Sequence, residues 1–386
     1  MLPSQQDFIN FRSPRRGKAN PEVMTNPFWV WCVNSSDSAF VINEAFDGDS
    51  SFDVGPCWSF DRFGQTETLL PDGRVVYIAG EHEDSYDPDF YIYHDVIVVT
   101  PDDEVEIYGY PEDVFPATDF HSATVVGDEI ILIGSLGYPD KRDPLQTQVM
   151  RLNTNDWSIT RQETTNSPGW ISRHTAFYCE ESNVIRMTDP QQWTEENDLV
   201  DVFATWELDL TNWQWRCVEK KDWSQYRLFR KDGEMNNLFD LRTHVEMTSM
   251  GLDLYGDPEM LRGDLDDETF KLLQEGHNDM AKENEELINK TDLDLLPTLY
   301  SPSIPHSVAP EIDPIFSNFD DEFDDDYNQH TIEVDGIDVR FIEDSYDVTM
   351  RVEGSLTDDS VNTILDDVCR QLSKLESAEY TYKKIS

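Results

Sequence analysis

The feature that most limits what this chain can fold into is a threefold repeat between Gln65 and Trp215, because a fixed period sets architecture before any single motif does. Gln65, His121 and His174 open successive units at intervals of 56 and 53 residues, and Gly80, Gly134 and Asp189 close the second strand of each at intervals of 54 and 55. Third strands begin at Val96, Val149 and Trp206. Fourth strands begin at Val105, Trp157 and Trp213, after the turns Pro101 to Asp103, Asn153 to Asp156 and Asp209 to Asn212.

Four short strands per unit of about fifty residues is the signature of a propeller blade. At these residues the chain resembles the Kelch repeats of the galactose oxidase central-domain superfamily: a strand after His or Gln, an apolar strand ending in Gly, a variable loop, a strand into a turn, and a Trp. The resemblance covers roughly 150 residues, the length of three Kelch units. The family's paired glycine is single here after Ala79 and Ile133 and absent at Thr188 and Asp189. The resemblance implies a mainly β fold, a Kelch-like propeller of few blades, and three blades leave a ring unclosed. The aromatic stretch Phe28-Trp29-Val30-Trp31-Cys32-Val33, read as strand, and the segment Trp223 to Val245 are therefore expected to supply a further blade.

Around this centre the expected domains are a mobile basic arm at 1–26, the propeller at 27–250, a helical segment at 251–296, a Pro-rich and acidic linker at 297–328, and a small α+β domain (βββαβ) at 329–386. The arm carries Arg12, Arg15, Arg16 and Lys18 without apolar periodicity. Asp257-Pro258-Glu259 reads as a helix start, Asp266 to Gln274 as a helix stopped by Gly276, and Asn278 to Lys290 as a second, polar helix. Five prolines between Pro297 and Pro314, then the acidic run Asp320 to Asp326, mark the linker, where proteolysis is expected to cut. In the tail, Asp335-Gly336 suits a two-residue hairpin turn. Thr357 caps a helix whose stripe is Val361, Ile364, Leu365, Val368, Leu372 and Leu375.

Charge excludes some partners. With 79 acidic against 29 basic residues the formal net charge is -50, so nucleic acid and anionic lipid would be repelled and a basic protein partner favoured. The N-terminus has no apolar core of a signal peptide, no run approaches a membrane span, and five scattered cysteines never form Cys-x-x-Cys; a cytoplasmic location is expected.

The chemistry-bearing loop is Glu81 to Asp89, where Glu81, His82, Glu83, Asp84, Asp87 and Asp89 crowd together. A calcium-like cation is the one cofactor it suggests, although Asp and Pro also gather in loops simply to make turns. His121 and His174 occupy equivalent repeat positions, which favours a repeated hydrogen bond between blades over catalysis. No ligand set of a copper radical oxidase maps onto the chain, and Cys57 and Cys179 lack a local His and acid. The expected function is a non-catalytic Kelch-like interaction module or scaffold, binding through equivalent loops that carry Glu81, His82, Asp84, Tyr86, Asp87, Tyr138 and Trp193. The alternative is a small-molecule, sugar-type enzyme such as an epimerase or oxidase working in the central pocket, for which Arg173 and Glu81 are the residues of interest.

Overall fold

The computed structural model describes residues 2–83, 89–195, 197–249, 267–308 and 329–385. It is mainly β, built from antiparallel sheets, and divides into two compact units, Met1–Lys221 and Asp222–Ser386.

Each repeat of the first unit folds as a four-stranded antiparallel meander. The first sheet runs Thr66–Leu69, Val75–Ile78, Asp95–Val99, Val105–Gly109, and the second Ser122–Val126, Glu129–Ile133, Val149–Asn153, Ile159–Arg161. The third runs Thr175–Cys179, Val184–Thr188, Ala204–Asp209, Gln214–Lys220. The near-continuous apolar runs follow from burial on both faces, since successive side chains point to opposite sides of a strand. Ile130, Leu132 and Met150 pack with Val76, Ile78, Val96 and Val98 of the first sheet. Their alternates Ile131, Ile133 and Val149 pack with Ile185, Met187, Leu208 and Trp215 of the third.

A repeated device ties the sheets together at their opening strands. His121 Nε2 shares a 2.9 Å hydrogen bond with Thr66 Oγ1 of the unit before, and His174 Nε2 shares one of 2.9 Å with Ser122 Oγ. One residue earlier, Phe120 N donates to Gly64 O (2.9 Å) and Arg173 N to Phe120 O (2.8 Å). Gly64, Phe120 and Arg173 all adopt left-handed φ (60°, 46° and 53°), so the repeat imposes this backbone even where the residue is not glycine. A side chain at Gly64 would bring its Cβ within 2.5 Å of Phe120 N, which makes this glycine obligatory.

These histidines set a pH response. Desolvation pushes His121 down to about 3 and His174 down to about 4, so each is neutral in the fold and binds its proton more readily in the unfolded chain. Their contribution is complete above the unfolded pKa near 6.5 and is lost as pH falls toward the folded values. Urea denaturation should therefore show the first unit weakening between about pH 6.5 and 4. His121→Gln should flatten that slope; an unchanged slope would mean other groups dominate.

The stack is finished differently at its two ends. On the first sheet lie Phe28, Trp29 and Cys32, packed against Ile97 and Ile107. The stretch Pro27–Ser35 is a helix and not the expected strand, because Asn26 Oδ1 caps it by accepting from Trp29 N (3.0 Å) and Pro27 occupies its first turn. The arm before it is likewise built in. Gln5–Phe11 is a helix with a reciprocal Ser4–Asp7 capping box that buries Phe8 against Phe46, and Glu22–Val23 adds a fifth strand to the first sheet. Asn20 clamps Ile159 of the second sheet's edge strand through two 2.8 Å bonds. On the outer face of the third sheet, Arg186 and Arg216 grip Glu207 from the two flanking strands, at 2.6 and 2.5 Å. A fourth sheet packed there would have to desolvate that ladder. Among the described residues no sheet closes on itself.

The second unit begins at residue 222, well before the boundary expected at 250. Ser224–Arg230, expected to help complete the propeller, instead lies inside the C-terminal sheet, paired on one side with Asp347–Val352 and on the other with Tyr380–Lys384. The sheet order is Ser307–Val308, Gln329–Val334, Ile337–Glu343, Asp347–Val352, Ser224–Arg230, Tyr380–Lys384. The Asp335-Gly336 turn forms with both φ positive, and the helix Asp358–Glu376 is capped by Thr357 and buries the whole predicted stripe. The expected small βββαβ domain is thus the larger part of a six-stranded sheet that cannot be completed without residues 224–230. Asp267–Lys290 is one helix running through an exposed Gly276, whose missing side chain costs only about 1 kcal/mol in a helix interior. The start of the expected linker is tethered to this unit, at Leu299 and Tyr300 and at Leu296 just before it. Leu296, Leu299 and Tyr300 are buried in the core of this unit, and Arg242 and Tyr300 both donate to Glu343. The helix start at Asp257 and the acidic run Asp320 to Asp326 lie outside the described residues.

Candidate binding site

Because each sheet repeats the same meander, the connections that follow the second strands leave from the same end. Three of them meet there. Glu81–His82 pairs with Tyr91–Ile92 as a short hairpin, and Tyr138 Oη accepts a 3.0 Å bond from Ile92 N, the strand partner of Glu81. Gln191–Trp193 pairs with Trp170–Ser172, and Trp170 Nε1 donates to Leu136 O at 3.0 Å. Arg142 joins the second and third connections, donating to Leu136 O and Gly137 O while its guanidinium lies 4.4 Å from the centre of the Trp193 ring.

Of the sequence-nominated residues, Glu81 and Tyr138 come together at this end, and Trp193 lies under Arg142 in the third connection. His82 does not belong to that surface. It is buried, sharing a 3.0 Å bond between Nε2 and Asp89 Oδ1 and a 2.7 Å bond between Nδ1 and Tyr93 Oη. Asp89 also accepts from Cys57 N at 3.1 Å. Asp84, Tyr86 and Asp87 lie outside the described residues.

The sequence reading missed Asp119. It is fully buried, and its Oδ1 accepts from Gly137 N (2.6 Å) and Ser135 Oγ (3.2 Å). Gly80 N donates to Thr118 O at 2.9 Å, which sets Glu81 beside Asp119. Burial, with Asp119 and Glu83 adding to it and Arg173 opposing, pushes the Glu81 carboxyl up to about 7. Burial raises Asp119 as well, against its bonds to Gly137 and Ser135 and the charges of Arg142 and Arg173. Each carboxylate keeps one shielded oxygen, Glu81 Oε2 and Asp119 Oδ2, with no hydrogen-bond partner among the described residues. A signal was available: Asp119 stands two residues before the repeat-opening His121, in the strand entry that the repeat itself defines.

Around the pair are Phe90, 47% exposed with its ring centre 5.8 Å from that of Tyr138 in an edge-to-face arrangement, and Phe63, 64% exposed and bonded to Glu81 through paired backbone hydrogen bonds of 2.9 Å. The calcium-like site expected at Glu81 to Asp89 gains nothing from Asp89, which is turned inward. Among the described residues no group of three or more His, Cys, Asp or Glu could hold a metal ion. Burial pushes Cys57 up to about 12, which keeps it a protonated thiol. Among the described residues no helix is long and apolar enough to cross a membrane.

No family model matches the chain, and no curated protein matches it. Among solved structures, that of YjhT is similar to part of it, at 12% identity and a TM-score of 0.31, with 41% of this chain and 55% of that chain covered.

Proposed function

We propose that this chain is a non-catalytic interaction module whose first unit is a Kelch-like arc of three blades, and that it binds a basic protein partner across the joined loops. The observation that carries this reading is the convergence of Glu81, Asp119, Tyr138 and exposed Phe90 and Phe63 at one end, on a chain of net charge -50. Loops held by a rigid sheet scaffold bind without needing chemistry, and aromatic side chains are the usual anchors of such surfaces.

Affinity purification from the native source, with mass spectrometry, identifies the partner. Binding of the purified partner should then fall at least tenfold in a Tyr138→Ala, Phe90→Ala double variant, and weaken steeply as salt shortens the Debye length below about 8 Å. Binding untouched by both changes would end this reading.

The second reading, an enzyme acting on a small sugar-type substrate, is favoured by the Glu81 carboxyl at about 7, a value suited to a general acid–base, with the Arg173 charge nearby. His174 is no candidate for proton transfer, since it is committed to Ser122. Incubation with sugar acids in deuterated water, followed by NMR, separates the two readings: exchange lost in Glu81→Gln would favour the enzyme.

A further inference from the structure

We infer that the first unit carries a ligand site apart from Glu81 and Asp119: a cavity in its third repeat that takes a small carboxylate with an apolar body of about one ring. The cavity has a volume of about 230 Å³ and is lined by Pro168, Ile171, Pro190, Val202 and Trp206, with Lys220 as the one charged residue of its lining. Lys220 is exposed, and Val202 and Trp206 are half-buried, so the cavity opens to solvent. Pockets for drug-sized ligands run to roughly 300–1,000 Å³, and this smaller one limits its occupant to about a single ring.

The walls are fixed before any ligand arrives. They come from the paired strands Trp170–Ser172 and Gln191–Trp193, from the residue that follows Leu199–Asp201, and from two strands of the third sheet. Pro168 O accepts from Gln192 Nε2 at 2.7 Å, and Pro190 O accepts from Val202 N at 2.9 Å. Proline has no N–H, so these bonds use the polar groups of both prolines and leave their rings as apolar wall. Trp206 stands at a bulge, where the register against Gln214–Lys220 shifts between Thr205 and Trp206, and a bulge of this kind re-aims a side chain.

An apolar body seated there leaves water together with the wall it covers, which is the driving force for entry. Lys220 adds selection by charge. Among the described residues it makes no ion pair, and a carboxylate on the occupant supplies its counter-ion. The net charge of -50 opposes an anion at long range, but salt at physiological strength screens that field beyond about 8 Å. A larger cavity of about 330 Å³ on the outer face of the third sheet suits a ligand less well, because its polar groups already serve one another. Asp209 accepts there from Thr211 N and Asn212 Nδ2, Asn212 Oδ1 accepts from Gln214 N, and Glu207 is held by two arginines.

The test titrates the full chain, labelled with heavy nitrogen at its tryptophan indoles, with phenylacetate, and uses phenylacetamide and acetate as controls. Phenylacetate should move one indole N–H signal saturably, with its midpoint at about 1 mM or below, as about ten non-hydrogen atoms allow. That signal should be the one missing from Trp206→Phe. Acetate should move nothing, and phenylacetamide should bind about threefold more weakly, since an exposed ion pair is worth at most about fivefold. Lys220→Gln should erase the preference for phenylacetate without lowering the melting temperature, and Val202→Trp, which fills the cavity, should abolish binding of both ring ligands. No saturable shift by about 10 mM, equal binding of phenylacetamide, or a shifted signal that survives in Trp206→Phe would overturn the inference. So would a preference that persists in Lys220→Gln, or binding that persists in Val202→Trp. The first two outcomes are read on the unaltered chain and need no variant to fold, and the interaction reading does not depend on them.

Discussion

Leu228→Asp should unfold the C-terminal unit while leaving the first unit's transition in place. Leu228 is fully buried in the strand that joins the two halves of the C-terminal sheet, opposite Val348 on one side and Tyr382 on the other. Losing a core leucine costs about 2–5 kcal/mol, and burying an unpaired charge adds several more. That total approaches the 5–15 kcal/mol that holds a typical domain together. The two units can be read separately, because nine of the ten tryptophans precede residue 222. Far-ultraviolet circular dichroism should lose the signal of the helix Asp358–Glu376, while the tryptophan fluorescence midpoint in urea stays where it was. A fluorescence transition that moved with the variant would instead couple Ser224–Arg230 to the sheets of the first unit.

The second large effect concerns the first unit. Asp95→Ala should cost it about 3–5 kcal/mol, the usual consequence of stripping one partner from a buried ion pair. Asp95 accepts from Arg62 at 2.6 and 3.1 Å and from Trp58 Nε1 at 3.0 Å. The Arg62 side chain is fully buried, with its guanidinium 3.3 Å from the centre of the Tyr93 ring and 4.9 Å from that of Trp58. Without Asp95 that cation has no carboxylate left among the described residues. Urea denaturation followed by fluorescence measures the loss, and Arg62→Met combined with Asp95→Leu should restore most of it, since an apolar pair of similar volume often replaces a buried ion pair without penalty. A loss under 1 kcal/mol in Asp95→Ala would show that water reaches Arg62.

The three meanders were legible because a strand buried on both faces leaves a continuous apolar run, and the turns between runs carry Gly, Asn and Asp at regular spacing. Ends and boundaries were not. Phe28 to Val33 has the composition of a strand, but Asn26 and Pro27 are helix-start signals, and the cap decided the outcome. Ser224–Arg230 gives no local clue to its sheet, because its partners lie more than a hundred residues onward. The prolines between Pro297 and Pro305 drew attention from Leu296, Leu299 and Tyr300, which tether that stretch to the core. In the candidate site, Glu81, Tyr138 and Trp193 were nominated from their place in the variable loops. Asp119 was passed over because a lone acid at a strand entry looks like a turn residue; its place two residues before His121 was the one sequence signal, and burial is what sets it apart in the fold.

Hydrogen exchange of the full chain, with and without its purified partner, tests the central claim most directly. Protection concentrated at Gly80–Glu81, Phe90–Tyr93, Thr118–Phe120 and Leu136–Arg142 is the result predicted for a partner seated on the joined loops. Protection confined to the edge strand Gln214–Lys220 or to the C-terminal sheet, with those loops exchanging as they do in the free chain, would contradict it.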